Sequence, residues 1–302
     1  MSDTALPDIR RGYATALMVI SSIMISFGGL FIRLMEEADV WQIMVYRSAA
    51  LIFVISLIMM ARFGRAAPAT MRAIGRPGLL AGVLMAGATF SFLQSITNTS
   101  VANTLFMLSG IPFFTAALAR VILKEPLTHN TMITMICASV GVVVMVAGGI
   151  GTGSLYGNLM GLVTALCFSG YAIIVRRHRG VEMQPVLLVA GCLVLGVSLM
   201  VTWHDLVIPL HDVFLCFLLG GVLSGGANLA FIIAARHMAA AELTIFMLLE
   251  FALGPLWVWA LLNEVPRVAT SVSYTHLRAH ETNNSISYAV FCLKKGGGGG
   301  GG

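Results

Sequence analysis

Long uncharged, mostly apolar stretches recur along almost the whole of this chain, and they limit the folds open to it more than any other feature. Of its 302 residues, 58% are hydrophobic and only 10% are charged. An ordinary soluble domain has about 25% charged residues, and a soluble protein this apolar could not cover its surface with polar groups. The chain is therefore predicted to fold in lipid.

The length of the apolar stretches predicts the type of secondary structure. Most of them are close to the roughly 20 residues that span a hydrocarbon core, and in lipid each backbone N–H and C=O must be satisfied within its own segment. We therefore predict an all-α, polytopic membrane protein. Its nine helices, numbered 1 to 9 in chain order, are expected at 12–32, 41–61, 78–97, 101–119, 130–149, 155–175, 184–203, 213–235 and 239–261.

The basic residues predict how the chain sits in the membrane. If the N-terminus is cytoplasmic and the helices alternate, the inside segments hold twelve basic residues and the outside segments hold only Arg33 and Arg267. The positive-inside rule favours this orientation. The net charge of +5 then reflects topology, and it needs no nucleic-acid partner. The twelve inside residues are Arg10, Arg11, Arg62, Arg65, Arg72, Arg76, Arg120, Lys124, Arg176, Arg177, Arg179 and Arg236.

An internal repeat is visible in the phrases GVLMAGA (Gly82–Ala88) and GVLSGGA (Gly221–Ala227), which lie 139 residues apart. The same offset aligns Glu125 with Glu264, and an offset of 143 aligns Arg33 with Arg176. Helices 1–4 thus resemble helices 6–9, and helix 5 belongs to the first copy. Because a unit of five helices is odd, the second copy must start from the opposite side of the membrane, as in many secondary transporters.

The repeat divides the chain into residues 1–150, with helices 1–5, and residues 151–271, with helices 6–9. Small residues four apart in the two phrases, Gly82 with Ala86 and Gly221 with Gly225, are expected to let helix backbones approach closely in lipid.

The last residues of the chain do not supply the tenth helix that a second five-helix copy requires. Their longest uncharged run, Thr282–Leu293, is too short to span a bilayer. Ser273–Thr282 resembles the translated read-through of a sequencing adapter, and seven glycines end the chain. We interpret 272–302 as a non-native tail and exclude it from the fold.

Three passages resemble the EamA-type family of the drug/metabolite transporter superfamily. SFGGLFIRLMEEADVWQIMVYRSAALIF (Ser26–Phe53) is similar to its helix 1–2 passage, IPFFTAALARVILKEPLT (Ile111–Thr128) to the end of its helix 4, and LLEFALGPLWVWALLNEVP (Leu248–Pro266) to its helix 9. The resemblance implies ten helices with cytoplasmic termini and a central cavity between two four-helix sets, with helices 5 and 10 at the periphery. It also implies movement of small metabolites by alternating access.

Two ionisable residues lie inside predicted helices, where charge is expensive and commonly functional. Glu250, about halfway along helix 9, could bind a proton or a cationic substrate group, or it could be the structural partner of a helix end or hydroxyl. Arg47, six residues into helix 2, could bind a substrate carboxylate or extend to the interface. An Arg47–Glu250 pair is a further alternative.

Uncharged polar residues give a second set of candidates for substrate binding. Ser91, Gln94 and Asn98 are spaced along one face of helix 3, and Asn103 follows at the start of helix 4. They could line a cavity or form hydrogen bonds between helices. Asn228 in helix 8 and Tyr171 in helix 6 are weaker candidates of the same kind.

An enzyme is not expected, because the histidines before the tail lie at helix ends or in loops and no HExxH or glycine-rich phosphate loop occurs. We predict no catalytic residues, metal or cofactor. The expected protein is a multi-pass transporter of the bacterial inner (plasma) membrane that binds a small-molecule substrate within the lipid bilayer, with export favoured. An uptake carrier, a passive channel and a non-transporting scaffold are the alternatives, and proton coupling and a homodimer are both compatible with the sequence.

Overall fold

The computed structural model describes residues 5–99, 101–126, 129–146 and 154–262, and within these ranges the regular elements are helices. The prediction of an all-α polytopic membrane protein is confirmed. Seven helices of the described chain are long and apolar enough to cross a membrane. The predicted tail, 272–302, and the end of the second repeat lie outside the described residues.

The first half of the chain forms five helices. Helix 1 is Ala5–Ser26 continued by Gly28–Arg33, helix 2 is Val40–Phe63, and helix 3 is Gly75–Asn98. A turn at Gly64–Ala66 and a short helix at Ala67–Ala73 connect helices 2 and 3. Helix 4 consists of Val101–Leu108, Ile111–Leu118 and a π-helical turn at Ala119–Leu123, and helix 5 is His129–Val146.

The second half forms four more helices within the described ranges. Helix 6 is Leu155–Arg177 and helix 7 is Pro185–Thr202. Helix 8 consists of Leu210–Phe217, a π-helical segment at Leu218–Ser224 and Gly225–Ala234, and helix 9 is Ala240–Leu262. The nine helices follow the predicted positions, although helix 1 begins earlier than expected and helices 4 and 8 contain interruptions that hydropathy does not reveal.

Local sequence signals set several helix starts. The side chain of Asp39 accepts a hydrogen bond from the Trp41 N–H, and that of Gln42 accepts one from the Asp39 N–H at 2.8 Å, so helix 2 begins with a capping box. Ser154 caps helix 6 through the Gly157 N–H. These caps satisfy N–H groups that a helix start leaves without a partner.

The repeated glycine phrases mark equivalent close contacts between helices. A Cβ at Gly82 of helix 3 would lie 2.5 Å from the Val189 side chain of helix 7. A Cβ at Gly221 of helix 8 would lie 2.7 Å from Val54 of helix 2. Real Cβ atoms do not approach so closely, so the predicted close approach at both glycines is confirmed.

The contacts between helices follow the internal repeat. Contacts made by helices 1–4 have equivalents made by the corresponding helices 6–9. Helix 3 packs along helix 6 as helix 8 packs along helix 1, and helix 3 contacts helix 7 as helix 8 contacts helix 2. Helix 4 packs on helix 6 as helix 9 packs on helix 1. Helices 2 and 7 contact each other, as do helices 4 and 9, and helix 5 packs against helices 4 and 9.

Candidate functional site

The interface between helices 1 and 9 is held by polar contacts from two serines of helix 1. The Ser22 hydroxyl donates to the Phe246 carbonyl at 2.7 Å. One turn further along helix 1, the Ser26 hydroxyl accepts a hydrogen bond from the Trp257 indole N–H at 2.8 Å. The rings of Phe27 and Trp257 stack with centroids 4.6 Å apart. The contacts with helix 1 therefore extend over 246–257 of helix 9.

Glu250 lies between these contacts, near the middle of helix 9. Phe246, Glu250 and Gly254 follow each other at four-residue spacing, so they share the helix face that meets helix 1. The Oε2 atom of Glu250 is buried and has no hydrogen-bond partner among the described residues. An unpaired charge at the bilayer centre costs about 2.5–3.5 kcal/mol or more. An ionised carboxylate at this position would therefore lack a compensating partner for Oε2 among the described residues.

Arg47 lies on helix 2, which packs against helices 7 and 8. Its guanidinium contacts the Met44 sulfur at 3.9 Å, and its backbone carbonyl lies where a Cβ at Gly220 would stand. The salt bridges between described side chains do not include an Arg47–Glu250 pair. The pairing alternative is therefore not formed in this conformation, and the two charges belong to different helix interfaces.

The polar stripe of helix 3 lies at the contacts with helices 4 and 6. The Thr164 hydroxyl donates to the Ser91 hydroxyl at 3.0 Å, which joins helix 6 to helix 3. Asn103 is buried and donates through its amide to the Thr99 hydroxyl at 3.0 Å. For Ser91 the observed role is the interhelical hydrogen bonding that the sequence left open beside a cavity wall.

Gln94 and Asn98 lie together at the end of helix 3. The Asn98 amide donates to the Gln94 backbone carbonyl at 2.9 Å and to its side-chain oxygen at 3.2 Å. The Asn98 backbone carbonyl accepts a hydrogen bond from the Ser154 hydroxyl at 2.6 Å. The structure thus places these two residues where the end of helix 3 meets the start of helix 6.

Asn228 and Tyr171 occupy different surroundings. The Asn228 amide donates to the Ser224 carbonyl at 2.8 Å, beside the π-helical segment of helix 8. Tyr171 is fully buried in an aromatic cluster with Phe168 and Phe231, at centroid distances of 5.5 and 5.8 Å. The Tyr171 hydroxyl has no hydrogen-bond partner among the described residues. Asn228 belongs to helix 8 and Tyr171 packs against it, and neither shares a hydrogen bond with Glu250 within the described part of the chain.

The structure also reveals charged contacts that were not predicted from the sequence. The carboxylate of Asp212 is buried and accepts hydrogen bonds from the backbone N–H groups of Glu36, Glu37 and Ala38 at 3.0–3.1 Å. Glu125 pairs with Arg176 at 2.8 Å. The repeat contained a signal for the second contact, because it aligns Arg176 with Arg33 and Glu125 with Glu264.

Comparison with known proteins gives a family match in the first half of the chain. Residues 12–147 match the EamA-like transporter family, which confirms the resemblance. No curated protein matches the chain. The crystal structure of another protein shares the fold, with a TM-score of 0.75 at 16% sequence identity, over 88% of this chain and 94% of the other.

Proposed function

On the premise that residues 12–147 belong to the EamA-like transporter family, we propose that this protein is a secondary transporter that exports small metabolites or drugs by alternating access. Its membrane is proposed to be the bacterial inner membrane, with the N-terminus in the cytoplasm. The observation that carries the mechanism is Glu250, a carboxylate in the middle of helix 9 with an unpartnered buried oxygen.

An inverted repeat of 1–150 and 151–271 underlies the proposed movement. Two observations support this repeat. Helices 1–4 and helices 6–9 make equivalent contacts, and Gly82 and Gly221 lie at equivalent close approaches between helices. In carriers built this way, two related halves rock about a site near the bilayer midplane. In this proposal the site includes Glu250, which lies near the middle of helix 9.

Glu250 is proposed to carry the coupling proton. It lies on the face of helix 9 that meets helix 1 and has no salt-bridge partner among the described side chains. When it is protonated, the carboxyl is neutral and tolerates a closed, dry interface, whereas its ionised form requires water or a cationic group. Binding and release of one proton can therefore favour different conformations of the interface between helices 1 and 9.

The other candidates are proposed to contribute to substrate binding at different depths. Arg47 would attract an anionic substrate group from the helix 2–helix 8 interface, where Gly220 allows the backbones to meet closely. Tyr171 would offer its unpartnered hydroxyl, and Asn228 would act from helix 8. Gln94 and Asn98 would act near the end of helix 3, with Ser91 and Asn103 positioning the neighbouring helices.

The proposal is tested with the full chain in proteoliposomes that contain a pH-sensitive dye. A panel of small amines, amino acids and neutral metabolites is screened for compounds that dissipate an imposed pH gradient. We expect Glu250→Gln to abolish this pH-driven transport, because the amide resembles the protonated acid in shape but cannot release a proton. Exchange of unlabelled for labelled substrate and membrane abundance should be retained.

Glu242→Gln is the matched control, since Glu242 is the acidic residue in the first turn of the same helix. This variant should keep pH-driven transport. Normal pH-driven transport by Glu250→Gln at normal abundance would remove Glu250 from the coupling mechanism. If the pH gradient drove substrate accumulation in right-side-out vesicles and not in inverted ones, the direction of transport would be uptake and the proposal of export would be wrong.

A further inference from the structure

One ion pair joins the ends of four helices on the side of the molecule where helices 4, 6 and 8 end. The Arg176 Nε donates to the Glu125 Oε1 at 2.8 Å, and both side chains are largely buried. A second guanidinium nitrogen of Arg176 donates to the Ala235 carbonyl at the end of helix 8. The Glu125 Oε2 accepts a hydrogen bond from the Ala240 N–H at the start of helix 9.

The chain places Glu125 in this position by an unusual helix ending. Helix 4 closes with the π-helical turn Ala119–Leu123, and Lys124 then adopts a left-handed conformation with φ 56°. That conformation is disfavoured for residues with a Cβ. The Glu125 N–H returns to the Ala119 carbonyl at 3.3 Å, so the carboxylate points back towards helices 6 and 9.

The charges of the pair also complement the helix dipoles at the helix ends that it joins. Arg176 lies in the last turn of helix 6 and binds the final carbonyl of helix 8, where helix dipoles favour a positive charge. Glu125 binds an N–H of the first turn of helix 9, where they favour a negative charge. Charge-assisted contacts of this kind are among the stronger hydrogen bonds in proteins.

A second ion pair lies next to the first. Arg236, directly after helix 8, approaches Glu182 of the helix 6–7 connection at 3.0 Å, and its guanidinium also donates to the Val181 carbonyl. Both pairs therefore connect one group of elements, the ends of helices 4, 8 and 9, to another group, helix 6 and the connection to helix 7. Separating the two groups requires both pairs to break.

Resting on the proposed transport by alternating access, we infer that these two pairs, Glu125–Arg176 and Glu182–Arg236, form a lock that holds this end of the transporter closed. In the lock, Glu125 and Arg176 act as positioning residues that hold the start of helix 9 against helix 6. Directly beyond the lock, Leu243 of helix 9 is fully buried. Opening of the lock gives water access to Leu243 from this side of the membrane.

The test measures the access of a membrane-impermeant maleimide to Leu243→Cys in a chain whose five cysteines are replaced by alanine. Spheroplasts and inside-out vesicles are labelled separately, so that each side of the membrane is sampled. We expect Glu125→Gln and Arg176→Gln to raise the labelling rate by about tenfold or more from one side only, given the strength of charged hydrogen bonds. This readout needs no substrate, so it is independent of the proposed coupling through Glu250.

Two controls separate opening from general loosening. Arg177→Gln removes a neighbouring exposed positive charge and should leave the labelling of Leu243→Cys unchanged. A chain that keeps only Cys216, which is buried near the start of helix 8, should show no increase when Glu125 is neutralised. A parallel increase at Cys216 would indicate unfolding and overturn the inference.

Glu182→Gln tests the neighbouring pair, Glu182–Arg236. It should also raise the labelling rate of Leu243→Cys, from the same side of the membrane. Unchanged labelling in the neutralised variants at normal membrane abundance would overturn the lock. If all three variants are lost from the membrane, the pairs hold the fold together permanently, and the inference is overturned in favour of a structural role.

Discussion

At the scale of single residues, the structure distinguishes buried charges with partners from buried charges without them. Asp212 is fully buried, but its two oxygens accept three backbone N–H groups. The Glu250 Oε2, also buried, has no such partner among the described residues. The same side-chain chemistry therefore has two different surroundings: Asp212 orders the connection between helices 1 and 2, whereas one oxygen of Glu250 is left without a partner among the described residues.

The role of Asp212 predicts a cost for its replacement. In Asp212→Asn, one of the two oxygens becomes an amide group that cannot accept a backbone hydrogen bond. We expect the free energy of unfolding in detergent to fall by about 1–3 kcal/mol, as when a buried donor loses its partner. Thermal unfolding of the purified protein measures the change.

Asp205→Asn is the control for Asp212→Asn, because Asp205 is exposed in the adjoining connection. We expect Asp205→Asn to change the free energy of unfolding by about 1 kcal/mol or less, since exposed charges contribute no more than this. Equal stability of Asp212→Asn and the parent protein would show that the three contacts to the helix 1–2 connection contribute nothing to folding.

At the scale of helices, the repeated glycine phrases explain how the two halves meet. Gly82 lets helix 3 approach helix 7, and Gly221 lets helix 8 approach helix 2. In helix 8 this contact lies within the π-helical segment Leu218–Ser224, where the preceding Gly220 also meets the Arg47 backbone. A π-helical turn often marks a functional site, and here it brings helix 8 against the backbone of Arg47.

Adding one methyl group at these glycines should be costly. We expect Gly82→Ala and Gly221→Ala each to lower the free energy of unfolding by about 1–3 kcal/mol, the usual cost of overpacking. Thermal stability in detergent and membrane abundance provide the measurements.

Gly196→Ala in helix 7 is the matched control, because a Cβ at Gly196 meets no atom within 4 Å. Replacement of a helical glycine by alanine at an open position should leave stability unchanged or raise it by up to about 1 kcal/mol. If all three variants behaved alike, close helix approach would not be the reason for the repeated phrase.

At the scale of the whole molecule, polar contacts tie both ends of the helix bundle. On one side, Glu125–Arg176 and Glu182–Arg236 join helices 4, 8 and 9 to helix 6 and its connection to helix 7. On the other side, Gln42 donates to the Asp205 carbonyl and Tyr46 to the Leu206 carbonyl, which joins helix 2 to the helix 7–8 connection. Alternating access would require the two sets of contacts to break in turn.

The proposed orientation predicts which side of the membrane each set faces. In a chain without its native cysteines, Arg72→Cys and Arg179→Cys should react with an impermeant maleimide only from the cytoplasm. Glu37→Cys and Asp205→Cys should react only from outside, and all four positions are exposed. Labelling of Arg72→Cys and Glu37→Cys from the same side would contradict the topology on which the inverted repeat depends.

The sequence by itself determined the membrane class, the positions of the nine helices in the described residues and the resemblance of residues 12–147 to the EamA-like transporter family. These properties depend on hydropathy and on segment length, because a helix in lipid satisfies its own backbone and needs no neighbour to define it. The repeated phrases also predicted the close contacts of Gly82 and Gly221 correctly. A residue without a Cβ leaves room for a neighbouring helix to approach, whichever helix that is.

Only the tertiary structure decided which polar residues have partners. Glu250, Arg47 and Asp212 look alike in the sequence as charges in or beside apolar helices, but one oxygen of Glu250 is left unpartnered while Asp212 accepts three N–H groups. Ser91 bonds to Thr164 across 73 positions of the chain, and Glu125 to Arg176 across 51. Such contacts depend on which helix faces join, and neither helical periodicity nor hydropathy carries that information.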